Sequence, residues 1–350
     1  MAVYDYIIVG QGLAGTALAY RLLKSGAKVR VLHDPGGNSS SRVAAGLYNP
    51  VTGRKMVKTW MADTLFPELE RYYREVEDLT GGRFLHDLPI YRPFVSVEEQ
   101  NEWMGKSASE DFGPFVREVR TSSQFAWGND LYGGVVLNHS GYLEISLYLD
   151  RMRSYFVSKN VFTEDHVIYD KIQADASGVS YGNLKARNMI FCEGTHVSQN
   201  PFFNWLPFRP VKGEILDITM NADTEEILNR HVFVLPLGNQ TFRVGSTYDN
   251  NDQTWEPTST GREKIENQLG KLITIPYRIT GHRAGVRPAT ADRRPILGRH
   301  PEYETIFLFN GLGTKGVSLS PYFAGRLAGC LEGGEEPDKE VNINRYFSLY

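Results

Sequence analysis

The segment from Tyr4 to Leu32 constrains this chain more than any other part of it. Residues 6–9 are an apolar, β-branched run, the composition of a strand covered on both faces. Residues 13–24 contain no proline and carry Leu13, Ala17, Ala19, Tyr20 and Leu23 on one helical face. Between them stand Gly10, Gly12 and Gly15 in Gly-x-Gly-x-x-Gly spacing. The first glycine allows the tight turn, the second lets backbone approach a pyrophosphate, and the third lets helix and strand pack closely. The helix start offers free N–H groups and a positive dipole end. Residues 28–32 supply a second strand, which completes a βαβ unit and gives the motif its confirming context.

The place where such a unit carries an acidic residue for the ribose hydroxyls falls on His33, with Asp34 next. Either side chain can hydrogen-bond a hydroxyl, and His33 can also stack on adenine. The alternative is that His33 simply ends a strand at the surface. Length and composition fit two domains, or one large one, with ample core: the chain has 350 residues, 41% of them hydrophobic. A net charge of −3 argues against general affinity for nucleic acid or an anionic membrane. Two cysteines, Cys192 and Cys330, give neither a disulfide framework nor metal-ligand spacing, which suits a reducing cytoplasm. The chain enters its first core strand almost at once, so no signal peptide is expected, and no apolar run is long enough for a bilayer.

Further along, residues 34–42 read as a polar loop leading into the small-residue stretch Ala44-Ala45-Gly46, where backbone can lie against a large planar ligand. Arg54, Lys55 and Lys58 form either a solvated basic turn or a site that draws an anionic substrate towards a cleft. Residues 62–80 read as an amphipathic helix closed by Gly81-Gly82. Short strands then appear at 84–88, 90–95, 115–119 and 134–138, with a short helix at 97–105, as at the start of an antiparallel domain. Residues 143–157 return to helix, 161–167 and 185–192 read as strands, and the second ends in Cys192-Glu193-Gly194. Antiparallel strands follow at 215–220, 231–235 and 241–246, then a helix at 258–273 and a strand at 276–285. Near the C-terminus a strand at 305–309 runs into Gly311-Leu312-Gly313-Thr314-Lys315-Gly316 and a helix at 317–330. This second strand–glycine–helix element offers another set of N–H groups to a negative site, such as the N1/C2=O edge of a reduced flavin.

These motifs, in this order, resemble the D-amino-acid oxidase and glycine oxidase family of FAD-dependent oxidoreductases over nearly the whole chain. The resemblance rests on Gly10, Gly12 and Gly15, Ala44-Ala45-Gly46, Cys192-Glu193-Gly194, Pro210-Val211-Lys212-Gly213 and Gly245-Ser246-Thr247-Tyr248-Asp249, and on Gly285-Val286-Arg287-Pro288 and Gly311–Gly316. Gly46-Leu47-Tyr48-Asn49-Pro50 and Asp292-Arg293-Arg294-Pro295 look most like the oxidase domain of the bifunctional enzyme that matures the wobble uridine of tRNA. This chain has no room for that enzyme's fused methyltransferase, and its charge marks no obvious tRNA surface.

The resemblance implies an α/β fold: a Rossmann-like FAD-binding domain of the glutathione-reductase-like variety over 1–82, 141–210 and 286–350, and a discontinuous antiparallel α+β substrate domain over 83–140 and 211–285. It implies elongated FAD on Gly10, Gly12, Leu13, Ala14, Gly15, His33, Arg42, Ala44, Ala45, Val167, Gly194, Gly313, Thr314, Lys315 and Gly316. Asp34, Gly46, Cys192 and Gly311 join these from the reading of the turns. Family members with covalent flavin use a cysteine near the isoalloxazine; Cys330 is too deep in the last helix and Cys192 lies on the adenosine side, so the flavin is expected to be non-covalent. No metal is implied.

In the family the Gly-x-Arg-Pro arginine, here Arg287, pairs with a substrate carboxylate through two parallel hydrogen bonds. The alternatives are a structural ion pair or a flavin contact. Lys315 and its helix start would stabilise negative charge at N1, unless Lys315 is an exposed helix-start residue; Tyr248 and Tyr48 would wall the substrate pocket. The expected partners are a small amine or amino acid and oxygen or another electron acceptor. A 2-hydroxy acid or polyol phosphate as substrate would want a general base, for which His282 is a candidate, and a flavin-bound protein without turnover is a third reading. A plain NAD dehydrogenase fits less well, because the interrupted antiparallel domain and second glycine element are not expected there. Substrate selectivity would come from loops 48–60, 86–95 and 231–255.

Overall fold

A parallel sheet at the centre of the molecule follows from the opening βαβ unit. The strand Ala2–Val9 lies between Val29–His33 and Leu184–Phe191, all parallel. Phe162–Glu164 extends the sheet beyond Val29–His33, and Ile306–Asn310 extends it beyond Leu184–Phe191. The hairpin Ile172–Asp175 with Gly178–Tyr181 and the strand Ile296–Arg299 add antiparallel edges. The computed structural model describes residues 2–53 and 56–350; the expectation for Arg54 and Lys55 lies outside the described residues.

Strand alternation divides the core. Tyr6 and Ile8 face the helices Leu13–Lys24, Ala62–Thr80 and Gly316–Gly333, whose apolar residues complete one cluster. Ile7 and Val9 face the other way, onto Phe191, Phe203, Ile306 and Leu308. Helices Leu13–Lys24 and Gly316–Gly333 pack against each other, so the two segments that follow glycine turns lie side by side.

The second sheet runs in the order Tyr277–Arg287, Val211–Met220, Thr241–Gly245, Val232–Gly238, Ile227–Arg230, Ile90–Pro93, Gly134–Leu137, Val116–Arg120. Its pairs are antiparallel except Ile227–Arg230 beside Ile90–Pro93. Helix Ser259–Leu269 covers one face through Ile265 and Leu269, which pack with Leu216, Ile218, Val234 and Val244. A separate three-stranded sheet is formed by Leu47–Tyr48, Gly141–Leu143 and Leu85–Asp87.

Several local expectations shift. The polar loop expected at 34–42 ends in a short helix, Ser40–Val43. The strand expected at 161–167 stops at Glu164, and Asp165 N donates to the His33 carbonyl at 3.0 Å. The helix expected from 143 begins at Ile145, because Gly141–Leu143 is taken up as a strand. Among the described residues, no helix is long and apolar enough to cross a membrane.

Candidate active site

The glycines sort into two kinds. A β-carbon on Gly10 would lie 2.4 Å from the Cys192 carbonyl oxygen, and one on Gly15 would lie 1.9 Å from the Gly10 carbonyl oxygen. Gly46 meets Leu143 O at 1.9 Å, and Gly311 meets the Thr290 methyl at 2.7 Å. Protein packing alone demands glycine at those four positions. Gly12, Gly194 and Gly313 are different: a β-carbon there would approach nothing nearer than 3.3 Å (Ser41 Oγ), 4.0 Å (Pro288) and 3.8 Å (Ala289). A ligand can approach these faces, and at Gly194 and Gly313 positive φ angles of 58° and 54° favour glycine as well.

Both helix starts beside these glycines are open. Helix Leu13–Lys24 has no side-chain cap and no acidic residue in its first turn, and the same holds for Gly316–Gly333. Leu13 N makes a long bond of 3.5 Å to Ser41 Oγ, and no acidic group opposes either dipole end, so both starts suit an anion. A β-carbon on Gly316 would lie 2.9 Å from Leu13 Cδ1, so Gly10, Gly12, Leu13, Ala14 and Gly15 stand next to Gly313, Thr314, Lys315 and Gly316. This arrangement fits one elongated dinucleotide, with phosphates at one uncapped start and the ring edge at the other.

At the expected adenosine end, His33 is half-buried, 6.0 Å from the Phe162 ring centroid. Burial, and after it Arg153 and Arg42, push its pKa down to about 4. The imidazole is thus neutral at physiological pH and suited to hydrogen bonding or stacking. Asp34 accepts from the Gly36 N–H at 2.9 Å and lies 2.7 Å from His166 Nδ1; that bond holds its carboxyl below the ordinary range. Arg42 is paired with Asp150 at 2.6 Å. Ala44 is exposed, Ala45 half-buried, and Val167 and Cys192 are buried. Burial pushes the Cys192 thiol well up.

Two residues near this end escaped the sequence reading. Gln11 donates to the Leu149 carbonyl at 2.8 Å and accepts from Arg153 Nε at 3.3 Å, which fixes the turn's variable position. Glu193 accepts from the Tyr169 hydroxyl at 3.0 Å and Asn200 Nδ2 at 2.8 Å, and burial pushes its carboxyl up to about 7. A polar residue inside a buried turn was the only sequence signal for either.

Arg287 ends the strand Tyr277–Arg287. Its guanidinium lies across the backbone of Gly213, where a β-carbon would sit 2.1 Å from Nη2. Nη1 donates to the Lys212 and Thr247 carbonyls, both at 3.3 Å, and Nη2 donates to Ser246 Oγ at 2.8 Å. The Tyr248 ring centroid is 4.7 Å from Cζ. Every acceptor is neutral, no carboxylate pairs with Arg287 among the described residues, and burial lowers its pKa. Lys212 itself is buried and tied to Asp252 at 2.5 Å, Thr254 Oγ1 at 2.9 Å and the Glu256 carbonyl at 2.5 Å, so it holds the loop that follows Tyr248.

The backbone joins this arginine to the second glycine turn. Gly313 N donates to Pro288 O at 3.3 Å, and Asn310 Nδ2 donates to Gly194 O at 2.8 Å. Lys315 Nζ donates to Thr59 Oγ1 at 3.0 Å and Thr52 Oγ1 at 3.3 Å. Burial, then Arg294 and Arg293, push its pKa down to about 8. Lys315 is thus half-buried, not an exposed helix-start residue.

Two expected residues fall elsewhere. Tyr48 is buried with its hydroxyl on Asp87 Oδ1 at 2.6 Å, in a recess formed with Phe66, Leu69 and Ser140. Burial and Asp87 raise its pKa. The structure groups Tyr248 with Arg287, and it does not group Tyr48 with them. His282 lies five residues before Arg287 and so on the opposite sheet face. There its Nε2 is 2.7 Å from Glu214 Oε2, which also accepts from the Thr258 N–H at 2.9 Å at the start of helix Ser259–Leu269. It ties that helix to the sheet and is not placed as a general base. Lys58 pairs with Asp63 at 2.7 Å.

Comparison with known proteins gives the family. The DAO family model, described as FAD dependent oxidoreductase, matches residues 5–330. The chain is 23% identical to a glycine oxidase of Bacillus licheniformis over 346 residues, 94% of this chain and 93% of that one. It is 22% identical to the tRNA 5-methylaminomethyl-2-thiouridine biosynthesis bifunctional protein MnmC of Legionella pneumophila, over 96% of this chain but 54% of that protein. The crystal structure of iminodiacetate oxidase from Chelativorans sp. BNC1 has the same fold, with a TM-score of 0.77 at 20% identity over 98% of each chain. The chain belongs to the DAO family of FAD-dependent oxidoreductases, and FAD is its cofactor.

Proposed function

We propose that this enzyme oxidises the Cα–N bond of a small amino acid or N-substituted amine that carries a carboxylate, giving an imine that hydrolyses in water. Residues 1–82, 141–210 and 286–350 form the FAD-binding domain in this reading, and 83–140 and 211–285 the substrate domain. The observation that carries it is the Arg287 guanidinium, half-buried and held by three neutral oxygens with no carboxylate beside it among the described residues. An unpaired buried cation is costly, and a carboxylate ligand removes that cost through two charge-assisted hydrogen bonds.

When bound, FAD supplies the two-electron acceptor for the Cα hydride. The chain's own contribution is positioning. Lys212 O, Thr247 O and Ser246 Oγ hold the guanidinium fork in one orientation, Gly213 leaves room beneath it, and Tyr248 packs on its face. A substrate held by its carboxylate presents its Cα–H in a fixed direction, which turns a chance encounter into an oriented one. The uncapped start of helix Gly316–Gly333 supplies positive potential where negative charge accumulates.

The test is rapid anaerobic mixing of the holoenzyme with amino acids, N-methyl amino acids and 2-hydroxy acids while flavin absorbance is followed. Bleaching by amino compounds supports the reading. Bleaching by hydroxy acids alone, or by none of them, rules it out.

A further inference from the structure

Arg287 is not the only cation at this site without a counter-ion. Lys315 donates hydrogen bonds to two threonine hydroxyls, and no carboxylate pairs with it among the described residues. Arg294 lies with its guanidinium 4.0 Å from the Trp60 ring centroid, a face that offers π-density but no formal charge. The acidic groups in the same loops are already engaged, Asp63 by Lys58 and Asp292 by Arg345. Arg294 is tied to the second glycine turn by its carbonyl, which accepts from Thr290 Oγ1 at 2.8 Å, while Gly311 packs on the Thr290 methyl. The Arg287 and Lys315 anchors therefore hang from backbone stitched together at Gly313 N–Pro288 O.

One carboxylate on Arg287 leaves this second charge uncompensated. The pyrophosphate does not answer it, since those phosphates belong at the Gly10–Gly15 turn. A half-buried cation without a counter-ion is favoured by a ligand that completes its pairing. We propose that the Lys315–Arg294 cluster, with the Thr52 and Thr59 hydroxyls, is a second anion subsite, and that the substrate is an amino or imino acid carrying two acidic groups. One group is taken by Arg287 and the other by Lys315 and Arg294, with Trp60 as the apolar wall between loop and ligand. Two-point anchoring fixes the reacting carbon more tightly than one and rejects monoacids by leaving a cation unpaired. This inference rests on the amine-oxidation reading for its substrate class.

The experiment pairs diacids with matched monoacids on the holoenzyme. Flavin reduction is compared for iminodiacetate against N-methylglycine, and for both enantiomers of aspartate against those of alanine. Calorimetry compares malonate with acetate, neither of which can be oxidised at an amine. The inference expects a diacid preference of at least about tenfold in kcat/KM in one pair, and tighter binding of malonate than of acetate. It expects both ratios to fall towards one in K315M and, should that variant lose FAD, in R294Q. Diacids no better than monoacids overturn it, as do ratios unchanged in both variants. If no amine bleaches the flavin, the proposed reaction fails on its own; the malonate-to-acetate ratio then still decides whether the second anion subsite exists.

Discussion

Arg287 and Gly213 act as one device. Arg287→Lys keeps the charge but loses the planar fork, so kcat/KM for a carboxylate substrate should fall about 10–100-fold, mostly through KM, in steady-state kinetics. Gly213→Ala should do the same with FAD content retained, because its methyl group would occupy the place of Nη2; unchanged KM in both variants would remove the carboxylate role. Glu193 makes a pH prediction. Burial raises its carboxyl from 4.5 to about 7, so between those values the folded chain keeps a proton that the unfolded chain has released. Its contribution to stability is complete below the unfolded pKa and is lost as pH rises through the folded one. Glu193→Gln cannot ionise, so its melting temperature should exceed that of the parent at pH 8, with the gap closing towards pH 4.5. A gap independent of pH would contradict this. The Gly-x-Arg-Pro setting singled out Arg287 as a candidate, but its contact with the Tyr248 ring came only from the structure. The Asp87 partner of the Tyr48 hydroxyl was likewise invisible from Tyr48's own neighbours in the chain.

Elements carry the distinction between glycines that pack and glycines that face a ligand. Gly15→Ala drives a methyl group into the Gly10 carbonyl and should destabilise the apoprotein by about 1–3 kcal/mol or prevent folding. Gly12→Ala meets only Ser41 Oγ at 3.3 Å, so the apoprotein should melt within a few degrees of the parent while flavin affinity drops at least tenfold in a fluorescence titration. Equal effects from the two substitutions would mean that Gly12 also serves packing. The helices Leu13–Lys24 and Ala62–Thr80 emerge with the bounds their patterns predict, because each has a long apolar stripe and a clear stop. The hairpin at Ile172–Tyr181 and the strand Ile227–Arg230 were not legible. They are short and mixed in polarity, and their pairing partners decide them more than their own residues do.

For the whole molecule, ligand and fold are linked. FAD is a ligand of the folded chain, so the melting temperature should climb with added FAD, by an amount equivalent to about 2.7 kcal/mol at a hundredfold excess over Kd. Acid precipitation should leave the flavin in the supernatant, because Cys192 is buried behind Gly10 and Gly15 with its thiol held protonated. Flavin absorbance retained by the precipitate would refute that. The sequence by itself determined the βαβ opening and the second glycine turn, because each is a local pattern in which neighbours in the chain are neighbours in space; the order of its motifs, through the family resemblance, pointed to FAD and to the candidate arginine. Only the tertiary structure decided which cations go unpaired, which glycines face open space, and that His282 serves a helix cap instead of the cleft. Those properties depend on residues from distant segments such as Gly213 with Arg287 and Thr59 with Lys315, and charge compensation and steric exclusion are summed over space, not along the chain.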